Sequence, residues 1–241
     1  MEGPSIHIVA DELQIFVNAT INKAYGNAAF EKDPLEHQRI GEIFAFGKQL
    51  IIQLDTHALA THFLMYGTYR INTERPAMTP RLALTTSKGS FYFYNCSVKC
   101  VEKKDVKSLL SIEWDILSPD WDSKKVIKAI KAHKNATIDD ILLDQEIFPG
   151  VGNIIKNEVL FLAKTSPFNK VKQLPAKKIA EITMHARQFC QKFLELRKKN
   201  ELTKNLQIYR KAYCPVCNTK IIRAKTGRWS RWSYVCPQCQ I

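Results

Sequence analysis

Cys214-Pro-Val-Cys217 and Cys236-Pro-Gln-Cys239 stand near the C-terminus, with residues 218–235 between them. Two Cys-x-x-Cys knuckles supply four thiolates in two pairs, the number that a tetrahedral structural zinc site requires. The segment between them reads as a hairpin: residues 219–223 and 229–235 are strand-like, joined through Lys225-Thr226-Gly227. Arg223, Lys225, Arg228 and Arg231 sit on it, interleaved with Trp229, Trp232 and Tyr234. Two disulfides are the other covalent reading. Against it, Cys96, Cys100 and Cys190 leave an odd count, and Met1-Glu2-Gly3-Pro4 is no secretory leader. A metal hairpin kept only for stability is the third reading, and the basic decoration argues against it.

The 241 residues exceed one small domain, and an apolar fraction of 45% suits a protein that buries a real core. The apolar runs are too short to span a bilayer, so a reduced, cytoplasmic protein is expected, nucleoid-associated if bacterial. The net charge of +13 is uneven. Residues 1–100 hold nine Lys/Arg and nine Asp/Glu, whereas residues 101–241 hold 27 bases and 14 acids. Such asymmetry points to a polyanion held by the C-terminal part, most simply nucleic acid, with a solvated basic surface as the plain alternative. No basic amphipathic helix with a broad apolar face stands out, so no membrane partner is expected.

Pro4 suits the first turn of a helix, and Ile6, Val9, Ala10, Leu13, Phe16 and Val17 follow at helical spacing. Short strands are expected at 42–46 and 49–54, around the tight turn Gly47-Lys48, and at 58–65, 69–71, 81–85 and 90–95. Near Asp105 the period changes to 3.6, with helices expected at 124–133, 138–145, 153–163 and 176–199. The fold class is α+β: an N-terminal β-sandwich with its helix (residues 1–103), a helical domain (104–200), then a linker and the four-cysteine hairpin (201–241). The helices at 138–145 and 153–163 flank Phe148-Pro-Gly-Val-Gly152. There Gly150 and Gly152 permit close backbone approach, Asn153 is expected as N-cap, and the helix start offers amides to a phosphate. An ordinary helical hairpin would show the same pattern.

Four separated stretches together resemble the formamidopyrimidine-DNA glycosylase and endonuclease VIII family of base-excision repair enzymes. They are Glu2-Gly3-Pro4, Gly47-Lys48, Leu142-Leu-Asp-Gln with Gly150-Val-Gly-Asn153, and Cys214 to Cys239-Gln240. The resemblance implies a two-lobed DNA clamp of β-sandwich, helix–two-turns–helix domain and zinc finger. It also implies chemistry. The N-terminal amine attacks C1′ of a damaged nucleotide, expels the base and forms a Schiff base, and elimination then cuts the strand. Glu2 stands at the family's catalytic glutamate, suited to proton transfer, and Lys48 at its phosphate-gripping lysine. Extruding a nucleotide leaves a gap to fill; Met65 falls at the family's wedge, with Leu64 and Tyr66 beside it. Asn153, after Gly152, aligns with a phosphate-binding asparagine, and Arg231 with the finger arginine that holds phosphates flanking the lesion. Cys214, Cys217, Cys236 and Cys239 would hold structural zinc.

Two departures bear on function. Family members commonly expose an N-terminal proline after losing methionine, whereas here Met1 precedes Glu2 directly. Methionine removal needs a small second residue, so Met1 is expected to stay and to present a primary amine. The stretch Tyr94-Asn-Cys96-Ser-Val-Lys99 lacks the arginine with which purine-specific members read the opposite base, and residues 202–213 are short for the loop that caps oxidised purines. Both features look more like the endonuclease VIII branch, which prefers oxidised pyrimidines. Three readings follow: a DNA glycosylase with lyase activity, a damaged-DNA-binding relative that has lost catalysis, and a zinc-ribbon scaffold for protein partners. A monomer acting on duplex or single-stranded damaged DNA is expected.

Overall fold

The computed structural model describes residues 1–109 and 114–241. The chain divides into two compact units, Met1 with Gly3–Ser111, and Glu2 with Ile112–Ile241.

The first unit is a sandwich of two four-stranded antiparallel sheets with one helix against it. Helix α1 (Gly3–Leu13) buries Ile6, Val9, Ala10 and Leu13 on one stripe, as their spacing predicts. One sheet has the order β1 (Ile21–Tyr25), β6 (Leu82–Thr86), β7 (Gly89–Tyr94), β5 (Thr68–Ile71). The other has the order β2 (Ile43–Phe46), β3 (Gln49–Gln53), β4 (His57–His62), β8 (Ser97–Glu102). Phe16, Phe63, Phe91 and Phe93 fill the core, with ring centroids 4.9–5.4 Å apart from neighbour to neighbour. Burying each such ring contributes about 1.5–3 kcal/mol.

Two strands lie outside the expected set. β1 reads Ile-Asn-Lys-Ala-Tyr with the burial order buried, exposed, exposed, buried, half-buried. Its register with β6 shifts between Ile21 and Lys23, and that irregularity breaks the period-2 signal. Two residues, Asn95 and Cys96, separate β8 from the end of β7, and Asn95 is in left-handed conformation (φ 50°). The strand expected at 58–65 stops at His62 instead, because the chain turns at Leu64 (φ 47°).

The second unit is helical with a hairpin. α2 (Ser123–Ala132), α3 (Ile138–Leu143), α4 (Asn153–Leu162) and the long α5 (Ala176–Lys198) enclose a core of Val126, Ile130, Leu142, Phe148, Ile155, Val159, Ile182 and Phe189. Asp122 caps α2 by accepting from Lys124 N and Lys125 N, and Thr137 caps α3 by accepting from Asp140 N. A short α6 (Leu202–Asn205) leads to the hairpin of β9 (Ile222–Thr226) and β10 (Arg231–Val235). β9 runs three residues later than expected, so Lys225 and Thr226 are strand rather than turn. Gly227 (φ 63°) opens the turn.

Candidate functional site

In the first unit, the Met1 amine donates to the Leu64 carbonyl at 2.5 Å, and Leu64 N donates to His62 Nδ1 at 3.2 Å. Leu64 belongs to a tip closed by Gly67 N donating to Phe63 O at 2.8 Å. A Cβ on Gly67 would lie 1.9 Å from that carbonyl oxygen, so only glycine closes this turn. The tip carries Met65 and Tyr66 outward, 63% and 77% exposed. The methionine in an otherwise strand-like run is thus not a core residue. Gly47 (φ 55°) forms the β2–β3 turn that presents Lys48. The His62 imidazole is held below its ordinary 6.5 by burial first, then by the N-terminal charge and Lys48. Met1, Lys48, His62 and the tip therefore form one cationic neighbourhood with an apolar edge. His62 was missed by sequence reasoning, since one histidine in a strand carries no local signal.

Glu2 groups with the second unit. Its carboxylate accepts from Ile154 N at 2.7 Å and from Ile155 N at 3.2 Å, so both oxygens are engaged at the start of α4. This corrects the expected cap. The N-cap residue of α4 is Gly152, which has no side chain to cap with, and Asn153 is the first helical residue. The carboxylate of Glu2 caps instead, meeting two of the amides expected to face a phosphate. Gly152 has extended dihedrals (φ −121°, ψ −164°) that any residue adopts. Its glycine is required by space: a Cβ would lie 2.4 Å from Glu2 Cδ and 2.6 Å from Glu2 Oε1. The Asn153 side chain donates to Trp232 O at 3.0 Å and ties the helix start to β10.

The hairpin is bolted to α3 and α4 by buried polar groups absent from the sequence reading. Lys156 and Asp139, both wholly buried, pair at 2.8 Å. Lys156 Nζ also donates to Ser233 Oγ at 2.7 Å, and Thr226 Oγ1 donates to Asp139 Oδ2 at 2.9 Å. Burial pulls the Lys156 ammonium below its usual range, and Asp139 opposes that. Asn157 donates to Trp232 O and accepts from Tyr234 N at 2.7 Å. Glu158, also buried, accepts from Gln207, Ile208 and Tyr209 amides at 2.8–3.0 Å and fixes the linker. A signal for this set existed. Lys156-Asn-Glu158 interrupts an apolar helix, and three consecutive residues sweep roughly 200° of its circumference, too much for all to face water.

On the outer side of the hairpin Arg231 is exposed. Arg223 stacks 3.7 Å from the Trp232 ring centroid, and Arg228 lies 4.7 Å from that of Trp229. Arg228 also pairs with Asp144 at 2.6 Å. The basic–aromatic interleaving is therefore a set of real stacking contacts.

Cys214, Cys217, Cys236 and Cys239 bring their four sulfurs within 4.8 Å of one another, in a possible metal-binding arrangement. All seven cysteines are free thiols, which removes the disulfide reading. The separations for Cys217–Cys236, Cys217–Cys239 and Cys214–Cys239 are 3.4, 3.5 and 3.8 Å. A tetrahedron with metal–sulfur bonds of about 2.3 Å has edges of about 3.8 Å. The donor set and its size fit zinc.

A sandwich with its terminal helix, a helix–two-turns–helix bundle and a four-thiol hairpin define one class of fold, and comparison with known proteins gives the family. Residues 2–98 match the formamidopyrimidine-DNA glycosylase N-terminal domain, and residues 113–204 match the formamidopyrimidine-DNA glycosylase H2TH domain. The chain belongs to the formamidopyrimidine-DNA glycosylase and endonuclease VIII family. It is 33% identical over 201 residues to endonuclease 8-like 3 of Mus musculus, covering 80% of this chain and 33% of that one. The formamidopyrimidine-DNA glycosylase of Lactobacillus helveticus is 24% identical over 232 residues, covering 86% and 83%. The crystal structure of the Lactococcus lactis formamidopyrimidine-DNA glycosylase bound to DNA with an AP site superposes with a TM-score of 0.89 at 24% identity, covering 100% of this chain and 99% of that one. The chain spans about a third of the length of its endonuclease 8-like 3 relatives.

Proposed function

We propose that this protein is a DNA glycosylase of base-excision repair, with apurinic/apyrimidinic lyase activity on oxidised bases and a preference for pyrimidines. The observation that carries the reading is the fixed Glu2 carboxylate, held by two amides at a helix start immediately after Met1. A carboxylate pinned through both oxygens serves proton transfer at one place, whereas a free surface glutamate would not. The N-terminal amine acts as nucleophile on C1′. Base departure leaves the amine bonded to C1′, and breaking the C1′–O4′ bond then opens the sugar to the Schiff base, with Glu2 moving the protons, one of them to O4′. The Leu64 carbonyl orients the amine while substrate is absent.

Lys48, Asn153 beside Gly152, and Arg231 hold backbone phosphates. The exposed Met65 and Tyr66 fill the gap left by the extruded nucleotide, an apolar side chain and a ring suited to stacking. Zinc held by Cys214, Cys217, Cys236 and Cys239 fixes the hairpin that carries Arg231 and takes no part in the chemistry. The pyrimidine preference is supported by the lack of an arginine in Tyr94-Asn-Cys96-Ser-Val-Lys99, the stretch that makes the tight Asn95 turn between β7 and β8. The protein acts as a monomer in the cytoplasm.

The test is base release and strand cleavage on DNA with thymine glycol or an abasic site, by the native protein and by Glu2→Gln. Product from the native protein and a loss of at least about 100-fold in the variant support the reading. DNA binding without product from either would make the protein a damaged-DNA binder.

A further inference from the structure

Helix α2 carries a charge arrangement that the site above does not use. Lys124, Lys128 and Lys131 recur at i, i+4 and i+7, so they share one face over roughly 10 Å of helix. All three are exposed, as are Lys134 just beyond the helix and Lys172. Lys172 N donates to Lys134 O at 3.0 Å, and Val171 N donates to Ala136 O at 3.0 Å, so the second segment lies directly beside the first. Neither residues 123–136 nor residues 166–180 contain a single Asp or Glu.

Helix stability accounts for only one end of this face. Lys124 lies in the first turn, where the positive end of the helix dipole opposes a cation by about 0.3–1 kcal/mol and the capping Asp122 offsets part of that, whereas Lys131 in the last turn is favoured by the dipole. Like charges at i, i+3 and i+4 repel further. The repulsion within Lys124, Lys128 and Lys131 is one that a bound anion relieves. The apolar residues Val126 and Ile130 of α2 are buried in the core, which leaves Phe168 of the neighbouring segment as a lone exposed ring and no broad apolar face for a lipid surface. α2 packs against α5 and the turn Val171–Gln173, whereas β10 of the hairpin packs against α4.

We propose that this lysine face is a second nucleic-acid contact, holding backbone phosphates outside the stretch gripped by the start of α4 and the hairpin. It rests on the DNA reading above for its class of ligand only. Regular lysines without planar, base-reading side chains make the contact sequence-independent. It would anchor flanking nucleic acid and raise affinity for long substrates.

The experiment compares Lys124→Gln/Lys128→Gln/Lys131→Gln/Lys134→Gln with a control of equal charge change, Lys192→Gln/Arg197→Gln/Lys199→Gln/Lys204→Gln, whose residues are also exposed. Binding is measured against salt on duplexes of about 12 and about 40 base pairs, near 40 and 140 Å long at 3.4 Å per pair. The face variant is expected to lower the salt slope on the long duplex by roughly 3, at about 0.9 per phosphate contact. The short duplex and the control are expected to shift by less than about 1. At low salt the face variant is also expected to gain thermal stability, which shows that it folds and that the repulsion is real. Equal slope loss on both duplexes would place the lysines in the main footprint and overturn the proposal. So would an unchanged slope on the long duplex, or lost binding to phosphatidylserine vesicles in place of DNA. If the native protein binds no DNA at any length, the glycosylase reading fails together with it. DNA binding with an unchanged slope sinks the lysine face alone.

Discussion

Gly152→Ala isolates the Glu2 cap from everything else at the start of α4. Alanine adopts the extended dihedrals of this position without strain, so the perturbation is one methyl group. Its carbon would sit 2.4–2.6 Å from Glu2 Cδ, Cγ and Oε1, well inside contact distance. Glu2 must then leave at least one of its two amides, at 2.7 and 3.2 Å. Each hydrogen bond to a charged group contributes about 1.5–3 kcal/mol net, and water recovers part of the loss. A net misplacement of about 2 kcal/mol corresponds to about 30-fold in rate. The assay is single-turnover base release at saturating protein, with DNA affinity measured in parallel. The expected result is a rate loss of about 10–100-fold, with the dissociation constant changed by less than about threefold. The double variant with Glu2→Gln should fall little further than Glu2→Gln alone, because both changes act on one carboxylate. A native rate in Gly152→Ala, or full additivity with Glu2→Gln, would refute the assignment of Gly152 to the seating of Glu2.

Other outcomes follow from the same structure. Lys156→Met leaves Asp139 buried without its cation and is expected to cost about 3–5 kcal/mol, read as a fall in Tm, with Lys156→Met/Asp139→Leu recovering most of it. The depressed His62 means that the unfolded chain takes up a proton that the native protein refuses. Native stability should therefore decline as pH falls below 6.5 and level off below the native pKa, and His62→Gln should flatten that decline in pH-dependent unfolding. Chelation should release one zinc per chain, measured by metal analysis. It should also abolish DNA binding while the melting of the β-sandwich unit persists. Arg231→Ala, an exposed change, should leave Tm alone and lower the salt slope of DNA binding by about 1.

What was legible in the sequence followed from periodicity and from residue types with few uses. The spacing of Ile6, Val9, Ala10 and Leu13 marked a one-faced helix, and four cysteines in two knuckles favoured a thiolate cluster over two disulfides. Met65 lay inside an expected strand and was singled out only through the resemblance; its exposure comes from the turn that Gly67 closes. What was illegible depended on distance in sequence. Asn153 looked like a cap because the carboxylate that does the capping lies at position 2. That Lys156, Asn157 and Glu158 could not all face water was readable, but their partners Asp139, Tyr234 and the amides of residues 207–209 were not. The β1 strand was hidden by its irregular register.

The central claim is that the amine at position 1 performs covalent chemistry beside a pinned Glu2. Borohydride trapping on abasic-site DNA, followed by peptide mass spectrometry of the adduct, tests it directly. The account predicts one reduced cross-link, on the α-amine of the peptide that begins Met1-Glu2-Gly3-Pro4. A cross-link on a lysine such as Lys48, or none from a protein that binds the same DNA, would contradict it.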